Sequence, residues 1–542
     1  MGLRLATPVK FSPTGLSDAL DSTNVPLGVC AQLANLIPDP STKNLWECRP
    51  AAIKKADFVA GGFTSPGFIS AEKILGNVVY GMIASGLNAT HDQPYAYNLV
   101  TGAFLAITGI TSGNTPVSPA TTGDWTPPTM DLVGAKLLVT HPGYSGAGNI
   151  MFGWFDLTNP AAITWNAGNT AINALPSPPT AVKQFFNRAY YLVNPVGSIP
   201  AAYFTDVLNP LSITLGTNIL TFGDNVPLTA LGTLMQTNQL GGIIQSLIVF
   251  KGAAQMWQIT GDASLSTLSL NSMNIATGTL APNSICATPK GLAFIAPDGL
   301  RVVNFQGIIS DPVGDAGTGV VEAFIFALSP SRIVAACSGK TIRISVQNGN
   351  ATGSPNQEFW YDIPRSCWSG PHSFPASQIQ VYNNTFIMAP IGVTAELFQS
   401  DAEQGVTSTF VENGVQLTHT FQTSMLPNTQ QMSENAMVET TLNIALAAGV
   451  NVNVSAVDEN GAAYSSAVIT GPAQTTVWGA FIWGAALWQG AANALAPRQA
   501  KWPIPIVFQR LSIMAKANSA AGIKYGDVYL RYQQLGYLLQ AS

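Results

Sequence analysis

The chain runs to 542 residues, of which 9% are charged and 47% hydrophobic, against roughly 25% charged in an ordinary soluble protein. The apolar content excludes a disordered polymer, and the length provides material for roughly two to four domains with sizeable cores. With 28 acidic and 23 basic residues, a net charge of −5 and no basic cluster denser than pairs such as Lys54-Lys55, tight sequence-specific DNA binding is excluded too, because it needs clustered cations to displace counterions from phosphates.

A surface so poor in charge lacks the repulsion and hydration that keep a free monomer dispersed, so the composition asks for partners. The opening, Met1 to Gly15 (MGLRLATPVKFSPTG), lacks the apolar h-region of a secretory signal. Ser17 to Leu36 carries the best helical pattern in the chain, interrupted by Pro26 and Gly28. Beyond it, short runs rich in Val, Ile, Phe, Tyr and Thr alternate with Gly and Pro, the texture of strands and turns.

Five hairpins can be placed in order. Tyr95 to Thr108 turns at Thr101-Gly102, Val182 to Val193 at Asn187-Arg188, and Ser246 to Thr260 at Lys251-Gly252. Gly291 to Phe305 turns at Pro297-Asp298-Gly299, where proline presets φ and glycine is free to take a positive one. Gln378 to Met388 turns at Asn383-Asn384, two residues that tolerate the left-handed conformation. Further strand pairs are expected near residues 136 and 331.

These units recur at about the spacing of propeller blades. Part of the repeat is literal: Asn159 to Thr164 reads NPAAIT after the strand IMFGWF, and Asn209 to Thr214 reads NPLSIT after AAYF. Blades are expected near residues 76–108, 136–165, 182–215, 246–270, 291–310, 331–347 and 378–400. A blade cannot bury both faces alone, so a closed ring explains why they come as a set. The sequence predicts an all-β fold: an arm and ring-closing segment over 1–60, a β-propeller-like ring of six or seven blades over 61–401, and further β structure over 402–542.

In that last region Val450 to Val457 alternates cleanly before the turn Asp458-Glu459-Asn460-Gly461, and Ile504 to Leu539 supplies more strands. The stretch Val477 to Leu495 is long and uncharged, but Gln489, Asn493 and three glycines argue against a membrane span. Its Trp478, Phe481, Trp483 and Trp488 fit an interface or core better than a sugar platform.

The search for chemistry finds no cofactor, metal or catalytic motif. His91, His141, His372 and His419 stand in separate segments without ligand spacing, and Cys30, Cys48, Cys286, Cys337 and Cys367 form no CxxC pair, which fits free thiols. Gly143-Tyr144-Ser145-Gly146-Ala147 approaches a nucleophile elbow but has Ala where the last Gly belongs. Asp206, Asp224, Asp262, Asp298, Asp311, Asp315 and Asp362 are candidate acids, and sugar-cleaving propellers use such pairs, but several sit at turn tips.

Four segments carry a resemblance. Leu33 to Ala51 (LANLIPDPSTKNLWECRPA), Ala281 to Asp298 (APNSICATPKGLAFIAPD), Glu358 to Ser369 (EFWYDIPRSCWS) and the closing GDVYLRYQQLGY resemble the tail nozzle and packaged-DNA stabilisation proteins of short-tailed bacteriophages. Arg49-Pro50 lacks the glycine that many of that family carry between the two residues. The resemblance implies a non-enzymatic virion protein, made in the bacterial cytoplasm and built into the tail. It would form a sixfold homo-oligomeric ring below portal and adaptor rings, contact tail fibres or spikes, and retain double-stranded DNA until ejection. The few acids in inter-blade loops are then expected to face the channel. The alternative is a tail spike, fibre or minor capsid protein that binds host glycans, and a polysaccharide-cleaving propeller is a third reading.

Overall fold

The computed structural model describes residues 9–537 apart from 19–24, 64–65, 89, 120–122, 147–149, 169–174, 215, 238–242, 274–275, 315–318, 349–354, 393–394, 402–409, 427–432, 447–448, 466–467, 472–495 and 521. Asp315 and the aromatic stretch from Trp478 to Trp488 lie outside the described residues.

Among the described residues six small sheets and one end of a larger sheet stand in a ring. Their innermost strands are Ile69–Leu75, Thr129–Val133, Ala181–Phe185, Leu228–Thr237, Cys286–Thr288, Val334–Cys337 and Ala376–Tyr382. Each unit then steps outward through antiparallel hairpins. The fifth has three strands, and the second gains Ile107–Thr108 as a parallel outer strand. The sixth unit, through Cys367–His372, is continuous with an eleven-stranded sheet. This is a β-propeller, and all seven strand units expected from the sequence are present.

What holds the ring is the space between neighbours. Tyr80 and Met82 of the first unit pack on Leu137 and Phe155 of the second. Leu138 and Phe152 meet Tyr191 and Val193, and Phe185 and Leu192 meet Leu247 and Ile259. Ile248 and Phe250 meet Leu292 and Phe294. Val334 and Ala336 meet Phe386 and Met388, and Ile387 and Leu397 return to Ile69 and Val79. Each sheet therefore buries both faces, which is why strands such as Arg188–Val193 are buried along their whole length rather than at alternate positions.

The chain closes the circle with a strand from far away in sequence: Ile53–Asp57 pairs antiparallel with Glu396–Asp401 as the outer strand of the last unit. Before it, the segment from Val9 to Cys48 belongs to a second body. Leu36–Pro38 and Trp46–Cys48 join Lys524–Tyr537, Ser433–Ala445 and Ala496–Phe508 in one sheet, with Val9–Phe11 also paired to Lys524–Tyr537. Val29–Ala34 joins Thr418–Thr423, Leu511–Asn518 and Asn451–Asp458 in the other. The two sheets bury a common core in which Phe421 stacks on Tyr525 at 5.1 Å.

Two local expectations are corrected. Ser17–Leu36 is not helical where it is described: Val29–Ala34 is a strand, Leu36 opens another, and Gly28 has φ +105°. Sheet pairing against Thr418–Thr423 overrides a weak helical pattern that Pro26 already breaks. The turn in 182–193 is Phe186-Asn187, at φ 45° and 56°, one residue earlier than expected. Arg188 instead starts the strand, buried, with its guanidinium donating to the Thr205 carbonyl and Ser264 Oγ.

The literal repeat extends further upstream than its six letters. Asp156-Leu157-Thr158-Asn159-Pro160 starts on the last residue of a unit's third strand, and Asp206-Val207-Leu208-Asn209-Pro210 starts two residues after the end of another. The Ala162 and Ser212 amides donate back to the Asn159 and Asn209 carbonyls, at 3.0 and 3.2 Å. The copies then part: Ile163 opens the outer strand, whereas Asp206 holds Ser212, Thr214 and Asn218 in a longer turn that delays it to Ile219.

Asn383 and Asn384 sit where the sequence puts them, at φ 48° and 61°. Because a side chain branched at Cβ clashes in that conformation, Asn384→Val should cost about 1–2 kcal/mol while Asn384→Gly should be close to neutral, as measured by urea unfolding.

Candidate functional site

The inner strands enclose a central cavity of about 430 Å³. Alternate side chains of each inner strand enter the two flanking inter-blade spaces, and some of them reach the central cavity. Lys73, Lys183 and Glu72 line the cavity with Thr129, Thr233 and Gln380. Lys73 Nζ lies 3.2 Å from Asp131 Oδ1 and Lys183 Nζ 3.5 Å from Asp131 Oδ2, so one carboxylate bridges the ammonium groups of two different blades. Burial alone would raise the Asp131 carboxyl, but Lys183 and Lys73 hold it below its ordinary range. Burial pushes Lys183 down against the pull of Asp131. Glu72 accepts from the Tyr95 hydroxyl at 2.9 Å, and burial raises its carboxyl to about 8. The cavity thus presents two lysines and the acid Glu72, while Asp131 stays ionised beside the lysines.

A second concentration of charge lies where the ring meets the sandwich. Arg49 is fully buried, and all five of its N–H donors are engaged. Nε donates to Asn35 Oδ1, Nη1 to Glu412 Oε1 and the Pro50 carbonyl, and Nη2 to Glu412 Oε2 and Ser373 Oγ. Nearby on the sixth blade, Arg343 pairs with Glu358 of the neighbouring strand and stacks on Trp360, 4.3 Å from the ring centre. The Arg49 shell is enclosed and satisfied, which suits it to holding elements together rather than to binding.

The histidines are each used locally. His141 Nε2 lies 2.8 Å from Asp92 Oδ2, and its Nδ1 accepts from the Gly143 amide. Both ring nitrogens are therefore occupied, and His141 has none left to activate the exposed Ser145 four residues on. His372 bonds the Asn35 amide and Ser369 Oγ, and His419 bonds the Tyr525 hydroxyl at 2.6 Å. His91 bonds Thr90 Oγ1. All five cysteines are free thiols.

The candidate acids are likewise engaged one by one. Asp224 pairs with Lys251, Asp298 with Arg301 and Asp362 with Arg365, while Asp206 and Asp262 cap turns and Asp311 is exposed. None of these acids lines the central cavity. The charges that do were not singled out in the sequence, although Glu72-Lys73 and Lys183 on apolar strands were a legible signal. Among the described residues no group of three or more His, Cys, Asp or Glu side chains could hold a metal ion, and no helix is long and apolar enough to cross a membrane.

The architecture defines a β-propeller protein with a fused β-sandwich. No family model matches the chain, and no curated protein matches it. Among solved structures it is similar to the SapL1 lectin in complex with alpha methyl fucoside, at 14% identity and TM-score 0.30, covering 56% of this chain and 95% of that one. A mutant puromycin hydrolase complexed with PGG gives 12% identity and TM-score 0.34, over 67% and 59% of the two chains. The WD40 domain of SCAP from fission yeast gives 7% and 0.28, over 84% and 96%. Likenesses this distant assign neither ligand nor activity to this chain.

Buried groups set a pH dependence of opposite sign on two sides. Burial lowers His419 to about 4, so the unfolded chain gains a proton near pH 6.5 that the fold refuses, and stability falls as pH drops through that window. Glu72, raised to about 8, stays protonated in the fold where the unfolded chain ionises near 4.5, so its contribution is lost as pH rises between those values. Glu72→Gln should therefore gain on the natural protein by about 3–4 kcal/mol between about pH 5 and pH 8. Denaturant unfolding at both pH values checks this, and a difference independent of pH would contradict it.

Proposed function

We propose that the chain is a non-enzymatic structural subunit of a short bacteriophage tail, and that several copies form the nozzle ring that retains packaged DNA and conducts it at ejection. The observation that carries this reading is that the four segments resembling the nozzle family all contribute to one core. Leu33, Leu36, Trp46 and Cys48 come from the first, Ala281, Ala293 and Ile295 from the second, Phe359, Tyr361 and Trp368 from the third, and Val528 and Leu530 from the last. The four segments thus lie where the propeller joins its sandwich, a place where a likeness within a family has a structural reason to be found.

The low charge supports the same reading, since a subunit that buries much of its surface in an assembly needs little of it. Exposed apolar residues such as Ile243, Ile504 and Val415 are available for such contacts. The local engagement of the candidate acids and of His141 supports a role without catalysis. A cavity of about 430 Å³ holds on the order of a dozen water molecules, far too few for duplex DNA. In this reading DNA passes through the opening between copies, and the propellers form its wall.

A cryo-electron reconstruction of the particle that contains this chain tests the proposal. The expected result is a sixfold ring of propellers at the distal end of a short tail. A threefold appendage, as for a glycan-binding spike, or no place in a particle would overturn it.

A further inference from the structure

The central cavity has a charge balance that its own residues leave open. Lys73 and Lys183 bring two ammonium groups to the cavity and share the single carboxylate of Asp131, whose Oδ2 also accepts the Gln184 amide at 2.8 Å. At 3.2 and 3.5 Å these are loose contacts, and each ammonium has three hydrogens to donate. The lysine side chains keep 27% and 28% of their surface accessible, and both line the cavity.

The acid that lines the cavity, Glu72, does not supply the missing negative charge. It is 5% exposed, its Oε1 accepts from Tyr95, and its Oε2 is buried without a hydrogen-bond partner. Held as a neutral acid by burial, it presents an O–H donor rather than an anion. Cys286 and Cys337, also in the lining, are thiols. Two cations, one anion and a neutral acid leave an excess positive charge around a half-open cavity, which favours a bound anion.

We propose that this cavity is a binding site for a small oxyanion, a phosphate or carboxylate group, held between Lys73 and Lys183. The ammonium groups supply charge-assisted hydrogen bonds, and Thr233 and Gln380 supply neutral ones. The volume exceeds that of a bare phosphate, so the oxyanion is carried by a larger body, as in a phosphate ester or a polycarboxylate. Since the lysines and Asp131 stand on three different blades, a bound anion ties those blades together at the axis. The assignment does not depend on the tail reading.

The test uses the full chain titrated with inorganic phosphate and, separately, with citrate, against chloride at matched ionic strength, by calorimetry and by melting temperature. Saturable binding of one equivalent of either anion is expected, and the stronger one separates the phosphate source from the carboxylate source. Lys73→Met and Lys183→Met should each weaken it by about tenfold or more, while Asp131→Asn, which removes the competing carboxylate, should tighten it. Opposite signs from neighbouring positions would not follow from damage to the fold. Should a methionine variant fail to fold, Lys73→Gln and Lys183→Gln replace it with the same expectation. Binding no stronger than that of chloride, or binding unchanged in the lysine variants, would overturn the proposal.

Discussion

The contact between Arg49 and Glu412 is the constraint on which the architecture turns. A propeller is stable only when its first and last blades meet, and here the strand that joins them begins four residues after Arg49. Glu412 accepts from the Ala52 amide as well as from both terminal nitrogens of Arg49, so one carboxylate fixes the guanidinium and the entry of the closing strand together. Asn35 and Ser373 complete the shell from the sandwich and from the link between the sixth and seventh blades. Ring closure, sandwich attachment and blade order thus converge on one buried side chain.

That arrangement explains why the two bodies behave as one core. The sixth blade continues directly into a sandwich sheet at Leu33 and Gly370, and the apolar cluster around Trp46, Trp368 and Tyr525 runs across the boundary. A buried ion pair adds little net stability over an apolar replacement, but removing one partner strands the other charge. The pair therefore matters most through its loss, which would leave an unpaired charge buried beside the entry of the closing strand. The lysines at the axis follow a different logic: they are shared between blades and left incompletely matched, which is the chemistry of binding rather than of closure.

Much of the fold was legible because propeller blades are local objects. Asn383-Asn384 and Pro297-Asp298 announce their hairpins through turn chemistry that acts over a few residues, and the recurrence of such hairpins gives the ring. What the sequence hid was long-range. Nothing near Ile53–Asp57 indicates that it pairs with Glu396–Asp401, and Val29–Ala34 is a strand only because Thr418–Thr423 lies beside it. The same distinction governs the cavity. Lys73, Asp131 and Lys183 lie far apart along the chain, so their meeting is a property of ring geometry, not of any motif. Acids that looked like candidates in the sequence, such as Asp298 and Asp362, were visible because they sit at turns, and turns are where they are used.

The most direct test of this account is hydrogen exchange in the Arg49→Met protein. If Arg49 holds the closing strand, the amides of Ile53–Asp57 and Glu396–Asp401 should exchange at least about tenfold faster than in the natural protein, since breaking a buried pair costs about 3–5 kcal/mol. Those of Arg188–Val193, on the far side of the ring, should be unchanged. Unaltered protection in the closing strand, or an equal acceleration through every blade, would contradict it.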